Sequence, residues 1–295
     1  MKHAQYIRYF AVFVFSCVVL YFIIPSSNNV SSVDQEAAYA SRLTKYSALR
    51  TCQLNGPTTN AKEFAENYQS CIEKHLPKTN FEYFNMGRFH EKKVFLPLVK
   101  ESSAAQNCNF LTIGIGGDVL VETEFKLAHP ECKIFGVEAS PDQVAGFEEF
   151  GTVIPYGVGV KNETINLVLR KAGKYVHKDV EVVAMQNLLD RYLGTRFVHY
   201  ATIDIEGAEY AILKALLSGN ALYNEGIVVC QIDAELHGFN ADGSNIIDLM
   251  KAYAVETSQY IPVANSPFLT HQKVTFVNVE NERCREAFNL DTIGI

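Results

Sequence analysis

The sequence predicts an α/β fold over its C-terminal two-thirds, a mostly parallel sheet with helices on both faces. Three observations predict it. From Asn109 onward, short apolar runs of strand length alternate with segments of helical periodicity. Several of those runs are apolar throughout rather than alternating, as strands buried between two helical layers are. The connections between them are short, which suits crossover units in one sheet.

The elements follow in order. Residues 110–115 form an apolar run that ends in glycine, and residues 119–127 read as a helix. Residues 133–137 read as a second buried strand, followed by a Pro-initiated helix over 141–150. Residues 153–160 read as a third strand, and 165–169 alternate as an edge or hairpin strand does. A helix over 186–193, a strand over 197–203 and a helix over 208–217 come next. The pattern closes with a strand over 227–232, a helix over 246–253, and strands over 260–263 and 274–279.

Ahead of this region the pattern is helical. Tyr39, Leu43, Tyr46 and Leu49 recur at three- and four-residue steps, as do Phe64, Tyr68, Cys71 and Ile72. Asn55-Gly56-Pro57 separates the two helices. Residues 1–8 carry Lys2, His3 and Arg8, and residues 9–24 are apolar apart from Ser16 and Cys17. A membrane span needs about 20 apolar residues, with a lower limit near 17. The run predicts a transmembrane helix acting as an uncleaved signal anchor, with a cleaved signal peptide as the competing reading. The chain is thus expected to comprise a cytosolic tail and anchor at 1–25, a stem and helical region at 26–106, and the α/β domain at 107–295. The expected placement is single-pass, type II, in the endoplasmic reticulum or Golgi, with the α/β domain in the lumen and membrane contact through the N-terminal helix.

Cysteines agree with that placement. Apart from Cys17 there are six: Cys52, Cys71, Cys108, Cys132, Cys230 and Cys284. An even count permits disulfides, and none of the spacings suits zinc. Cys52 and Cys71 flank the helix break and are the expected pair. Cys230 lies in an apolar run and reads as a buried free thiol. Asn29 and Asn162 begin Asn-x-Ser/Thr sequons, which are usable in a glycoprotein. The net charge of −7 and the absence of a basic run argue against nucleic acid as a partner.

Four segments carry candidate chemistry. In Leu111-Thr112-Ile113-Gly114-Ile115-Gly116-Gly117-Asp118 a strand runs into a glycine turn before a helix, where backbone comes close to a ligand. A dinucleotide fingerprint would need Gly at position 119, which is Val, so an NAD-dependent oxidoreductase is disfavoured. Ile134-Phe135-Gly136-Val137-Glu138 ends in a carboxylate 24 positions after Gly114. An acid there accepts hydrogen bonds from ribose hydroxyls in Rossmann-type sites. In Ile203-Asp204-Ile205-Glu206-Gly207-Ala208-Glu209 three carboxylates cluster at one strand-to-helix turn, although Glu209 also reads as a helix-dipole residue. In Gln231-Ile232-Asp233-Ala234-Glu235-Leu236-His237, Asp233, Glu235 and His237 share one side at period two. That trio is a candidate set for a divalent metal, for a base centred on His237, or for a structural polar cluster.

The order of these segments resembles the FkbM-type methyltransferases. The residues that carry the resemblance are Gly114 to Asp118, Val137-Glu138 with Pro141, Leu188-Leu189-Asp190, and Ile203 to Glu209, over about residues 107 to 280. The helical N-terminal region with its anchor looks like nematode-type members. The resemblance implies a Rossmann-like class I fold that uses S-adenosylmethionine, usually on a hydroxyl oxygen, with a small-molecule or glycan acceptor. It implies that Gly114, Gly116, Gly117 and Asp118 pass the methionine end of the cofactor and that Glu138 holds its ribose. Asp204 borders the reaction centre, with Glu206 and His237 as further catalytic candidates. One departure stands out. The family usually carries Asp at the end of the first strand, where this chain has Thr112-Ile113. Either Asp118 takes its place by reaching back, or the cofactor's ammonium is held elsewhere. The competing reading is an inactive binding protein that keeps the fold.

Overall fold

The structure, a computed structural model, describes residues 32–58, 60–76, 83–87, 92–171, 174–238, 244–268, 271–293 and 295. The chain divides into two compact units, residues 1–45 and 46–295. Of the first, the described part is the start of helix α1, Ser32–Leu54. The apolar run at 9–24 lies outside the described residues. Among the described residues no helix is long and apolar enough to cross a membrane, so the expected single-pass type II placement is corrected and not carried forward.

In the larger unit, Tyr46 and Leu49 of α1 are buried. Helix α2, Ala61–His75, starts where the Asn60 side chain accepts from the backbone N–H groups of Lys62 and Glu63. Its buried stripe of Phe64, Tyr68, Cys71 and Ile72 is the one read from the sequence. The disulfide Cys52–Cys71 joins α1 to α2, with Cα atoms 5.8 Å apart. Cys108–Cys132 and Cys230–Cys284 are also bonded, so Cys230 is buried but is not a free thiol. Its partner lies 54 positions away on a helix that the apolar run gave no hint of.

Two short strands, β1 (Phe84–Met86) and β2 (Lys93–Phe95), form an antiparallel pair. The main sheet is built from β3 (Asn109–Ile113), β4 (Lys133–Val137), β5 (Thr152–Ile154), β9 (Phe197–Ile203), β10 (Val228–Leu236), β11 (Tyr260–Phe268) and β12 (His271–Asn278). Their order across the sheet is β11-β12-β10-β9-β3-β4-β5. All neighbours from β10 to β5 are parallel, and β12 runs antiparallel between β10 and β11. Counted within this sheet the order is 3-2-1-4-5-7-6, the doubly wound Rossmann order with one antiparallel strand inserted. This is a doubly wound α/β fold with a mostly parallel central sheet. The chain leaves β3 in one direction for β4 and β5 and later returns through β9 on the other side. A crevice therefore opens beyond the C-terminal ends of β3 and β9.

A second sheet holds β6 (Gly157–Gly159), β7 (Glu163–Lys171) and β8 (Lys174–Ala184), in the order β6-β8-β7. The strand expected over 153–160 is therefore two strands in two sheets. The helix expected over 141–150 is instead two 3₁₀ turns, Pro141–Gln143 and Phe147–Glu149. Ala145 and Gly146 between them have φ of 49° and 80°, left-handed values that no right-handed helix accommodates.

One aromatic cluster fastens the face of the sheet beneath the crevice. Phe110 of β3 and Tyr200 of β9 are register partners. Around them pack Phe84, Phe95, Phe125 of helix α3 (Leu120–Ala128), and Phe288 at the end of the helix Glu282–Phe288. Ring centroids lie 4.3 Å apart for Phe110–Phe125 and 5.1 Å for Tyr200–Phe288. Phe95 anchors β2 in this cluster, and Lys93, two residues earlier on the same side of the strand, is buried with it.

Candidate active site

The turn after β3 uses its glycines for different reasons. Gly114 has φ of 90° and donates to the Val137 carbonyl at 2.9 Å, while Asp204 N–H donates to the Ile113 carbonyl at 2.9 Å. A Cβ on Gly114 would overlap the Asp204 carbonyl oxygen, so glycine there lets β3 and β9 end side by side. Gly116 has φ of 69°, and a Cβ on it would meet nothing within 4 Å. Its open side faces a cavity of about 420 Å³, lined by the ends of β3, β4, β9 and β10. Gly117 donates to the Gln143 carbonyl at 2.9 Å and ties the turn to the segment after β4.

Glu138 stands at the end of β4 on the cavity wall. Its Oε2 accepts from Gly116 N–H at 3.2 Å and its Oε1 from Ser140 N–H at 2.7 Å. Burial raises its pKa, against the stabilising pull of those amides. Asp118 also lines the cavity, and its Oδ1 accepts from Leu120 N–H at the start of α3. The acid that reaches the Thr112 position is a different one. Glu122, in the first turn of α3, accepts from the Thr112 hydroxyl at 2.6 Å through Oε1. The Glu122 side chain lines the cavity, the residue is 4% exposed, and its Oε2 has no hydrogen-bond partner among the described residues. Burial pushes its pKa up.

At the other end of the cavity the third and fourth segments meet. Glu209 begins helix α4, Glu209–Leu216, and is fully buried. Its Oε2 accepts from Gly207 N–H at 2.6 Å, and its Oε1 accepts from the His237 backbone N–H at 2.8 Å. Its Oε1 also lies 3.1 Å from Nδ1 of the same imidazole. It is therefore a tie between two strand ends, more than a dipole residue. His237 Nε2 faces Glu206 Oε2 at 3.5 Å, Asp204 Oδ1 at 3.8 Å and Glu235 Oε1 at 3.8 Å. Burial works against the imidazolium, but Glu209, Asp204 and Glu206 outweigh it and hold its pKa up at about 9. Glu206 adopts a left-handed φ of 50°, a costly conformation for a residue with a Cβ, at the point where the chain leaves β9.

Two lysines complete the wall. Lys93 Nζ lies 3.7 Å from Asp204 Oδ2, and Lys273 Nζ lies 3.3 Å from Glu235 Oε2. Burial lowers the pKa of Lys273, and the nearby charge of Lys93 lowers it further. Asp233 shares the side of β10 with Glu235, as period two requires, but its Oδ2 is engaged by Val94 N–H at 2.9 Å and by the Thr275 hydroxyl at 3.0 Å. It tethers β2 to the sheet together with Gln231, which bonds both backbone groups of Leu96. Among the described residues two groups have metal-ligand spacing, and the one at this cavity is Glu235, His237 and His271. Asp233 is not part of it. His271 replaces it because the antiparallel pairing of β10 with β12 brings the start of β12 to the end of β10.

Of the residues named from the sequence, Gly114, Gly116, Asp118, Glu138, Asp204, Glu206, Glu235 and His237 line one cavity, and Gly117 packs against Gln143 beside it. Sequence reasoning missed Lys93, Glu122, His271 and Lys273. A lysine inside a strand-forming run, as in Lys93-Val94-Phe95 and Lys273-Val274-Thr275-Phe276, was the available signal.

A family model described as the methyltransferase FkbM domain matches residues 74–256. No curated protein matches the chain at a significant level. Among solved structures the chain is similar to a Methanococcus jannaschii fibrillarin pre-rRNA processing protein, at 9% identity over 68% of this chain and 85% of that one, with a TM-score of 0.36. It is also similar to the N-terminal domain of human METTL16 in complex with SAH, at 9% identity over 82% of this chain and 94% of that one, with a TM-score of 0.33. The apo form of the S-adenosylmethionine-dependent methyltransferase SibL matches at 11% identity over 85% of this chain and 71% of that one, with a TM-score of 0.27. Such low scores carry no weight for this chain. The family match does, because it spans well over half of the sequence, and the chain belongs to the FkbM methyltransferase domain family.

Proposed function

We propose that this chain is an S-adenosylmethionine-dependent O-methyltransferase, with a glycan hydroxyl as the acceptor class to test first. The observation that supports it is the single cavity that joins Glu138, the open side of Gly116 and the Asp204–His237 cluster. The residues present fit the cofactor. Glu138 offers carboxylate oxygens to the ribose hydroxyls, Gly116 leaves room for backbone approach, and the unpaired Glu122 oxygen offers a partner for the ammonium group. Glu122 thereby offers an acid where the Thr112 position lacks one, which favours an active enzyme over an inactive homologue. Tyr156, Leu167 and Leu169 give the cavity an apolar side suited to a purine ring.

The bound cofactor would supply an electrophilic methyl group on a sulfonium centre. The chain's own residues orient the acceptor and take its proton. Asp204 is the best placed for the proton, because its side chain is 38% exposed and lines the cavity, whereas His237 is 7% exposed. The ammonium groups of Lys93 and Lys273 lie on the same wall as donors that suit the several oxygens of a polyol. Incubating the protein with methyl-labelled S-adenosylmethionine and a panel of glycans, lipids and small alcohols tests the reading. Label transferred to a hydroxyl is the expected outcome, with Asp204→Asn losing turnover far more than cofactor affinity. Binding of the cofactor without transfer to any member of the panel, or transfer undiminished in Asp204→Asn, would count against it.

A further inference from the structure

The imidazole of His237 is held in an orientation that calls for an explanation. Its Nδ1 pairs with Glu209 Oε1 at 3.1 Å, and the same oxygen accepts from the His237 backbone N–H at 2.8 Å. The ring therefore cannot turn without breaking a fully buried contact. Nε2 then points at Glu206, Asp204 and Glu235 oxygens 3.5–3.8 Å away and hydrogen-bonds to none of them. A carboxylate that orients one nitrogen of an imidazole while the other faces further carboxylates is the outer-shell arrangement of metal-ligating histidines.

The remaining geometry agrees. The ring of His271 lies 4.4 Å from that of His237, and the ligand atoms of Glu235, His237 and His271 fall within 4.8 Å of one another. Ligand atoms about 2.0–2.2 Å from a common ion sit roughly 3–4 Å apart, so small side-chain movements close the set. Glu235 keeps Oε2 on Lys273 at 3.3 Å, which leaves Oε1 toward His237. Four carboxylates, Asp204, Glu206, Glu209 and Glu235, border this point against the ammonium groups of Lys93 and Lys273. A divalent cation offsets that excess. We propose that Glu235, His237 and His271, completed by Asp204 or Glu206, bind a divalent transition-metal ion through His237 Nε2 and the facing carboxylate oxygens. Two imidazoles in the set favour Zn²⁺ or Fe²⁺ over Mg²⁺ or Ca²⁺. The other described group with suitable spacing, His129, Glu131 and Cys132, is excluded because Cys132 is in a disulfide. Any role of the ion in activating an acceptor hydroxyl rests on the methyltransferase reading, but its binding does not.

The test uses the tag-free full chain, stripped with a chelator and desalted. Mn²⁺ is titrated in and free Mn²⁺ followed by electron paramagnetic resonance, and Zn²⁺ is then added as a competitor. The expected result is one saturable site per chain from which Zn²⁺ displaces Mn²⁺. His237→Ala and His271→Ala each weaken it at least tenfold, and Glu209→Gln weakens it about 10- to 100-fold through loss of the outer-shell contact. Glu148→Gln, outside the cavity, leaves it unchanged. Should His237→Ala fail to fold, as judged by thermal melting, His271→Asn carries the test, since His271 is half-buried at a strand end. No saturable site in the wild type, or a site indifferent to the histidine variants, overturns the proposal. Metal binding without methyl transfer would leave the site standing and sink only the reading on which its catalytic role rests.

Discussion

Glu122 and Thr112 form the pair whose behaviour is least obvious from residue type. A buried carboxyl with a raised pKa is a liability to the fold: the unfolded state loses its proton more readily, so the stability present below the unfolded pKa of about 4.5 is lost as pH rises toward the folded value. Glu122→Gln keeps a partner for the Thr112 hydroxyl and removes the charge. It is expected to melt at or above the wild-type temperature at pH 7 while binding S-adenosylmethionine at least tenfold more weakly, since a hydrogen bond to a charged group contributes about 1.5–3 kcal/mol. A variant that binds as tightly as wild type would remove Glu122 from the cofactor site. Only part of this was legible in advance. Glu138 and Asp204 could be read because each ends an apolar run, where chain direction alone sends the side chain to the crevice. Glu122 could not, because an acid in a first helical turn is usually a dipole residue. Its contact with Thr112 depends on how α3 packs against β3.

Strands and helices were legible in proportion to how far burial dictated their composition. β3, β4, β9 and β10 are nearly all buried and showed as apolar runs. β8 was invisible because Lys174, His177, Lys178, Asp179 and Glu181 are exposed, so its pattern carries no apolar run. Within the core, His199 gives a pH signature for the pairing of β3 and β9. Its Nδ1 accepts from Asn109 N–H at 3.3 Å, and its Nε2–H donates to the Ala104 carbonyl at 2.9 Å, which satisfies the neutral ring completely. Burial lowers its pKa, with a smaller contribution from Arg283. The unfolded state therefore binds a proton that the folded state refuses, so stability is full above about pH 6.5 and falls as pH drops toward the folded pKa. Chemical denaturation between pH 7 and pH 5 should show this slope, and His199→Gln should flatten it. The disulfides act on the same framework. Cys52–Cys71 closes a loop of 19 positions and Cys230–Cys284 one of 54. In the chain-entropy model these correspond to about 3 and 4 kcal/mol. Cys230→Ala with Cys284→Ala should lower the melting temperature more than the same change at Cys52 and Cys71, as differential scanning calorimetry would show.

For the molecule as a whole, the alternation of strands and helices was enough to place the cavity, because a doubly wound sheet puts its crevice where the strand order reverses. It was not enough to place what lines the far wall. Lys93 arrives on a short strand pinned by Phe95 and by the Asp233 and Gln231 side chains, and His271 arrives through an antiparallel strand inserted next to β10. Both depend on pairings between residues far apart in sequence, which periodicity does not encode. What unites the molecule is one cavity lined by both Glu138 and the Asp204–His237 cluster, which we propose hold the ribose and take the acceptor's proton. Calorimetric titration of S-adenosylmethionine into the wild type and into Glu138→Ala, with melting curves as a control for folding, addresses that reading first. The wild type should bind at one site per chain, and a folded Glu138→Ala protein should bind at least tenfold more weakly. No heat with the wild type, or equal affinity in the folded variant, would contradict it.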